Sequence, residues 1–403
     1  MIFNAKFAPL QRGQLQLQTA WLGLCLAVAI LGGCAAGADR PPTVRIMTFN
    51  TQNMFDDHRD GGEYPEFQPG GSGGWNRTLY RTRLERLAAV IRDQAIMPDI
   101  VVLEEIETQK VLEDLCRDFL PADAYPLRLL QADAGSIHIA LLSRFPLVSL
   151  RSHRIWLDGE SGRSIWELSF NPFGQPMSAG KFSPGDPAFS GFVLFANHWK
   201  SKSGGEAETE AMRLLAAKTL RQRTAELREA WPHLPIIACG DFNEILHPVG
   251  ASMAKVNPRS RAHRLPVRPS LSGAAGSPVI ALGWLSAAME MTSSRAVALP
   301  VAAWTERATV KNNWYSPWNL DGTDEQGRPG SYRYRGKWEG IDHFLLSAGL
   351  VENPNWHVQS FRVIGNPALL DQQGNPWRWD SRSKTGTSDH LPLLLELRKI
   401  NKR

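Results

Sequence analysis

Cysteine is scarce in this chain, with 4 in 403 residues, and none of them stands at the paired spacing of a zinc finger or ribbon. Structural zinc is thereby excluded. Two of the four, Cys25 and Cys34, lie in the N-terminal leader. Of the others, Cys239 sits inside an apolar run and Cys116 in a helical pattern, so both read as small buried hydrophobes, not as a disulfide. Charge of one sign is also lacking. A net charge of +5 with a pI near 9.1 permits an anionic partner without demanding one. There is no internal repeat, no low-complexity tract, no Gly-x-Ser-x-Gly elbow and no candidate cysteine nucleophile, which removes solenoids, serine hydrolases and thiol enzymes. Hydrophobic residues at 43% and charged residues at 21% are those of a folded globular chain.

What is present begins with a leader. Lys6 and Arg12 precede an uncharged stretch from Leu15 to Gly33, the n-region and h-region of a secretory signal. The run ends in Leu31-Gly32-Gly33-Cys34, which resembles a bacterial lipobox. That resemblance implies a signal peptide over residues 1–33, a lipidated Cys34, and a tether over 34–43. Ala35 in the next position implies sorting to the outer membrane, facing the periplasm or the surface. An ordinary cleaved signal or an uncleaved anchor is the alternative.

The centre of the chain is Ile236-Ile237-Ala238-Cys239-Gly240-Asp241-Phe242-Asn243-Glu244, an apolar strand that delivers oxygen-bearing side chains at its end. Asp241 and Asn243 are two apart and share one side of an extended segment. The pattern recurs. Val44 to Asn50 alternates as a strand and ends in an amide, and Ile100 to Glu105 is a buried strand closing on two acids. Phe192 to Ser201 ends in Asn197-His198-Trp199-Lys200, Ile341-Asp342-His343 leads into an apolar run, and Ser388-Asp389-His390 opens the last strand. Each residue alone is an ordinary turn former. Together they form one inventory of hard oxygen ligands plus two imidazoles, suited to Mg²⁺ or Mn²⁺, with Ca²⁺ also allowed. Phosphate ester hydrolysis needs those parts together.

Helices are expected over Arg77–Gln94, over Val111–Phe119 and over Glu206–Ala230, and His138 reads as an ordinary sheet residue. Pro248 to Tyr334 lacks clear periodicity and reads as an insertion or rim. Tyr332 and Tyr334 alternate with Arg333 and Arg335, which suits either base stacking or a cross-strand aromatic ladder.

In order, Phe49-Asn50, Leu103-Glu104-Glu105, Asn197-His198-Trp199-Lys200-Ser201, Gly240-Asp241-Phe242-Asn243, Ile341-Asp342-His343 and Ser388-Asp389-His390 resemble the endonuclease/exonuclease/phosphatase superfamily, which includes deoxyribonuclease I. The resemblance covers 44–398 and implies an α/β four-layer sandwich, two packed mixed sheets flanked by helices. It implies a metal site of Asn50, Glu105 and Asp389, with Asp241 and Asn243 handling the attacking water and the phosphate. His198 and His390 would bond the non-bridging oxygens, with Asp342 orienting His390. Glu104 stands where relatives commonly carry glutamine, and His138 where they often carry an acid. The reaction implied is metal-dependent phosphodiester hydrolysis, with nucleic acid as the first substrate and a monomer as the working form. A phosphomonoesterase or lipid phosphodiesterase is the second reading, for which Val279–Trp304 offers an apolar stretch. A non-catalytic surface lipoprotein is the third.

Overall fold

A computed structural model describes residues 42–131, 133–174, 184–245, 291–293, 314–318, 323–324 and 326–400. The leader, Cys34, Ala35 and most of the tether lie outside the described residues, as does Val279–Trp304 apart from Met291–Ser293. The residues from Pro42 on fall in one compact unit.

The first half of the chain runs β1 (Thr43–Met54), α1 (Arg77–Ile91), β2 (Ile100–Ile106), α2 (Gln109–Asp118), β3 (Leu127–Leu130), β4 (His138–Ser143) and β5 (Leu147–His153). A small hairpin of β6 (Trp156–Leu157) and β7 (Glu160–Ser161) leads to β8 (Ile165–Phe170), β9 (Phe192–His198), α3 (Glu206–Ala230) and β10 (Ile236–Asp241). After β11 (Met291–Ser293) and β12 (Trp314–Ser316) come a second hairpin, β13 (Tyr332–Tyr334) and β14 (Lys337–Glu339), then β15 (Asp342–Ser347) and α4 (Ala348–Val351). Strands β16 (Trp356–Val363) and β17 (Leu393–Lys399) close the fold. The three longer helices begin within two residues of their sequence positions, and α3 matches its bounds.

Two mixed sheets result. One has six strands in the order β16-β17-β1-β2-β4-β3, the other seven in the order β11-β12-β15-β10-β9-β8-β5. They pack face to face, and strand alternation shows how. In β10, Ile237 and Cys239 join the core shared with the first sheet, while Ile236 and Ala238 pack under Ala216, Ala217, Leu220 and Leu227 of α3. In β9 the same division holds, with Phe192, Leu194 and Ala196 inward and Val193 and Phe195 toward α3. Continuing that parity puts Asp241 and His198 on the side between the sheets. Each fully buried large side chain of these strands is worth roughly 1.5–3 kcal/mol over exposure. Cys116 and Cys239 are free and buried.

Local chemistry sets the ends. The Asn76 side chain accepts the Leu79 N–H at 3.1 Å and starts α1. Glu206 and Glu208 lie in the first turn of α3, Arg228 in its last, and Pro232 follows its end. Gly240 lies inside β10, not at a turn, and has φ +129°. A Cβ there would come within 1.9 Å of the Asn197 carbonyl oxygen, so the close pairing of β9 and β10 requires glycine.

Outside the sheets, α3 is tied down by a buried ion cluster. Glu167 of β8 accepts from Arg223 Nε at 2.8 Å and Nη2 at 3.0 Å, and lies 2.7 Å from His153 Nε2. Burial pushes this carboxyl up, but His153 and Arg223 together outweigh it and hold it down to about 2 from an ordinary 4.5. A folded-state value below the unfolded one stabilises above the unfolded value and is lost as pH falls through the folded one. Glu167→Gln should therefore cost about 3 kcal/mol near neutrality in urea unfolding. The gap from wild type should narrow between 4.5 and about 2. A gap that stays constant with pH would remove Glu167 from that role.

Candidate active site

Strand register assembles the site. Asp241 of β10 pairs in parallel with His198 of β9 and antiparallel with Asp342 of β15, so three site residues form one row across three strands. From the facing sheet, Asn50 of β1 stands opposite Glu104 of β2. The β2 ladder is irregular there, and Glu105 has φ +66°, a left-handed backbone that turns its side chain toward the same end. Gln52, Asn53 and Asn243 are also left-handed, at φ 52°, 57° and 52°. Such non-glycine residues persist only where their surroundings hold them.

The contacts are close and reciprocal. Asn50 Nδ2 donates to Glu105 Oε1 at 3.2 Å and to Asp241 Oδ2 at 3.0 Å, bridging the two sheets. Its Oδ1 accepts from the Gln52 N–H at 2.9 Å, so the amide presents donors to both carboxylates. Glu105 Oε2 accepts from the Asn53 N–H at 2.7 Å. Asn243 gives its backbone N–H to Asp241 Oδ1 at 2.8 Å and its Nδ2 to Oδ2 at 3.0 Å. His390 Nδ1 lies 2.9 Å from Asp342 Oδ2. His198 Nε2 lies 3.6 Å from Glu105 Oε1 and 3.9 Å from Asp241 Oδ2, beyond hydrogen-bond reach, and its buried Nδ1 has no partner.

Asp389 stands slightly apart. Its Oδ1 is 4.0 Å from His390 Nε2 and its Oδ2 is 3.8 Å from Arg378 Nε. Ligand atoms of Asp241, Asp342 and His390 all fall within 4.8 Å of one another. Of the eight residues singled out in the sequence, all reach this end of the sandwich. His343 turns away, with Nε2 2.9 Å from the Glu244 carbonyl and its ring edge-on to Phe242. His138 pairs with Ile106 at the start of β4, in the sheet, with Nδ1 unpartnered.

Charge divides these groups. Burial opposes a charged His390, yet Asp342, Asp241 and Asp389 outweigh it and raise the imidazole to about 10. Burial first, then the Arg163 and His390 charges, push His198 well down. Burial and the Asp342 charge lift Asp241 to about 7. One imidazole is thus a cation and the other neutral, on opposite flanks of Asp241.

Two residues, Arg83 and Arg163, escaped sequence reasoning, and a third, Glu104, stood out there only as a departure from the usual glutamine. Arg83 of α1 has no solvent exposure and donates to the carbonyls of Thr51, Gln52 and Asn53 at 2.7 Å each and of Thr387 at 3.1 Å. Only its inward spacing with Leu84 and Leu87 could have singled it out. Glu104 is wholly buried, accepts from Thr48 Oγ1 at 2.7 Å, and is pushed well up by burial and by Asp342 and Asp241. It lies beneath the site and Glu105 lies in it. Arg163 donates from Nη1 to the Trp199 carbonyl at 2.8 Å, the carbonyl that also accepts from Asn243 Nδ2 at 3.2 Å. No motif marks it.

The sequence matches the model of the endonuclease/exonuclease/phosphatase family over residues 45–264. The chain belongs to that family. It is accordingly a hydrolase of phosphate ester bonds, built as two mixed sheets with flanking helices. Among solved structures it is similar to an endonuclease/exonuclease/phosphatase family protein from Bacteroides thetaiotaomicron, at 15% identity and TM-score 0.45, covering 90% of this chain and 100% of that one. It is also similar to truncated TDP2 of Caenorhabditis elegans, at 13% identity and TM-score 0.46, covering 88% and 98%. The human Nocturnin catalytic domain gives 15% identity and TM-score 0.43, covering 89% and 96%. No curated protein matches.

The donor set fits a divalent metal of the hard class. Glu105, Asp241, Asp342 and Asp389 crowd one end of the sandwich, against Arg83 and the imidazolium of His390 as close buried cations. Oxygen donors in excess of positive charge suit Mg²⁺ or Mn²⁺, and the neighbouring Cys239 thiol is pushed well up by burial, so it offers no thiolate to a softer ion.

Proposed function

We propose that this member is a metal-dependent phosphodiesterase acting on DNA or RNA outside the cytoplasm. The observation that carries nucleic acid over other phosphoesters is an aromatic stair leading from solvent to the site. Tyr332 of β13 packs 4.5 Å from the His390 ring, Tyr334 stacks on Tyr332 at 6.3 Å and 11°, and Arg335 lies over Tyr334 at 5.1 Å. Tyr334 is 44% exposed, which leaves a face for a base.

The residues divide the reaction among them. Asp241, held by Asn50 and Asn243, positions a water and takes its proton as it attacks phosphorus. Asn243, whose Nδ2 hydrogens go to Asp241 and to the Trp199 carbonyl, keeps Oδ1 as an acceptor for that water. His390 donates to a non-bridging oxygen through Nε2 as an imidazolium, whose other proton, on Nδ1, is held by Asp342. His198, neutral and buried, bonds the other flank. Glu105 and Asp389 would hold the cation, with Asn50 orienting Glu105, and that cation would neutralise charge on the pentavalent transition state.

Purified residues 35–403 should cleave plasmid or RNA, and a chromogenic phosphodiester more slowly, while sphingomyelin and phosphomonoesters stay intact. Chelator should abolish hydrolysis, Mg²⁺ or Mn²⁺ should restore it, and Glu105→Gln should weaken both rate and metal response. Turnover of sphingomyelin alone would move the assignment to a lipid enzyme. Full activity in chelator would end the metal assignment, and inertness on every substrate with metal would favour a non-catalytic lipoprotein.

His390→Ala and Asp342→Ala should each lower turnover about a hundred- to ten-thousandfold. The double variant should be hardly worse than the poorer single, since an imidazole without its orienter is already misplaced. Additive losses in kcat would mean that the two act independently.

Export rests on the leader and on Leu31-Gly32-Gly33-Cys34. Among the described residues no helix is long and apolar enough to cross a membrane. Cys34→Ser should release the protein from the membrane fraction or block its maturation. Unchanged attachment, with no acyl group on wild type by mass spectrometry, would reject lipidation.

A further inference from the structure

The Asp342–His390 pair does not stand alone. Ser331, with no solvent exposure, donates from Oγ to Asp342 Oδ2 at 2.6 Å, and this is the same oxygen that faces His390 Nδ1. One carboxylate oxygen thus receives a hydroxyl and an imidazole together. The two donors are held in one backbone frame. Ser331 N–H donates to the Glu339 carbonyl at 3.2 Å, and the Ser331 carbonyl accepts from Leu391 N–H at 2.7 Å, so its backbone is pinned from both sides. Tyr332, next in sequence, makes a β-bridge to His390 as well as a ring contact with it.

A buried carboxylate with two acceptor oxygens and one positioned donor can rotate about its terminal torsion, because that torsion is broad. A second donor on the same oxygen, fixed in the backbone frame of the hairpin, removes that freedom. A hydroxyl serves here where an amine would not, since it adds no charge to a pair already balanced.

Building on the phosphodiesterase reading, we propose that Ser331 is a positioning residue for the reaction. It locks the Asp342 carboxylate so that His390 presents Nε2 to the phosphate, and the β13–β14 hairpin that stacks the substrate is also the element that carries this lock. Ser331 touches no reacting atom. Its effect therefore belongs in kcat and not in KM, and it vanishes when Asp342 is absent.

The test uses the chromogenic phosphodiester and plasmid with the full mature chain. Ser331→Ala should lower kcat about ten- to a hundredfold, as loss of an outer partner does, with KM changed less than about twofold. Ser331→Thr should restore most of the rate. In an Asp342→Ala background the further change Ser331→Ala should cost less than about twofold. A kcat for Ser331→Ala within about twofold of wild type, or an equal loss in both backgrounds, would overturn the proposal. Should Ser331→Ala fold poorly, the His390 imidazole signals of Ser331→Thr and Ser331→Cys decide by NMR. A native-like Nδ1–H resonance in both, the weakly bonding thiol included, would overturn it, while retention in the first and loss in the second supports it. Wild type inactive on every phosphodiester would defeat the reaction itself, and the NMR comparison would still judge the lock.

Discussion

A single guanidinium with no exposure underlies the catalytic end of the sandwich. Arg83 gathers the carbonyls of Thr51, Gln52, Asn53 and Thr387, which means it joins the C-terminal end of β1 to the loop before β17. The strand end holds Glu105 by the Asn53 N–H, and the loop carries Asp389 and His390. Burial pushes Arg83 down to about 9, while the charges of Glu105 and Asp389 work to keep it protonated. Trp379 and Phe67 lie on its faces at 5.0 and 5.9 Å. A buried cation bonded to carbonyls costs less than an unpaired one, and its removal would take a donor from four carbonyls at once. The left-handed backbone at Gln52 and Asn53 is thereby held by interactions that do not depend on substrate or metal.

Much of the fold was legible because the strand ends advertise themselves. An apolar run closing on Asp or Asn can be read from one sequence, and the pairing of β9, β10 and β15 then brings His198, Asp241 and Asp342 into one row. The three longer helices were legible for the same reason, through 3.6-residue periodicity. What resisted were contacts that depend on irregular backbone. A regular β2 would place Glu104 and Glu105 on opposite faces, and only the bulge with φ +66° brings Glu105 into the site above the buried Glu104. That Asp342 faces His390 was implied by the resemblance, yet which oxygen meets which nitrogen is decided by Ser331 and the hairpin, on which periodicity is silent.

The electrostatic pattern follows from that geometry. Two imidazoles flank Asp241 and are driven apart by their surroundings, His390 by three carboxylates and His198 by burial and a nearby guanidinium. Identical side chains thus acquire different charge without any change of residue type. Glu104 adds a further buried acid under the same carboxylates, where an amide would make the same bond to Thr48 without one.

β1 spans the depth of its sheet. The strand enters at Thr43 beside Arg398 and reaches Asn50 at the catalytic end, seven residues and roughly 23 Å later. The chain therefore enters the domain at the end remote from its chemistry, and a strain applied at Thr43 would reach Asn50 only through the full ladders that β1 shares with β17 and β2.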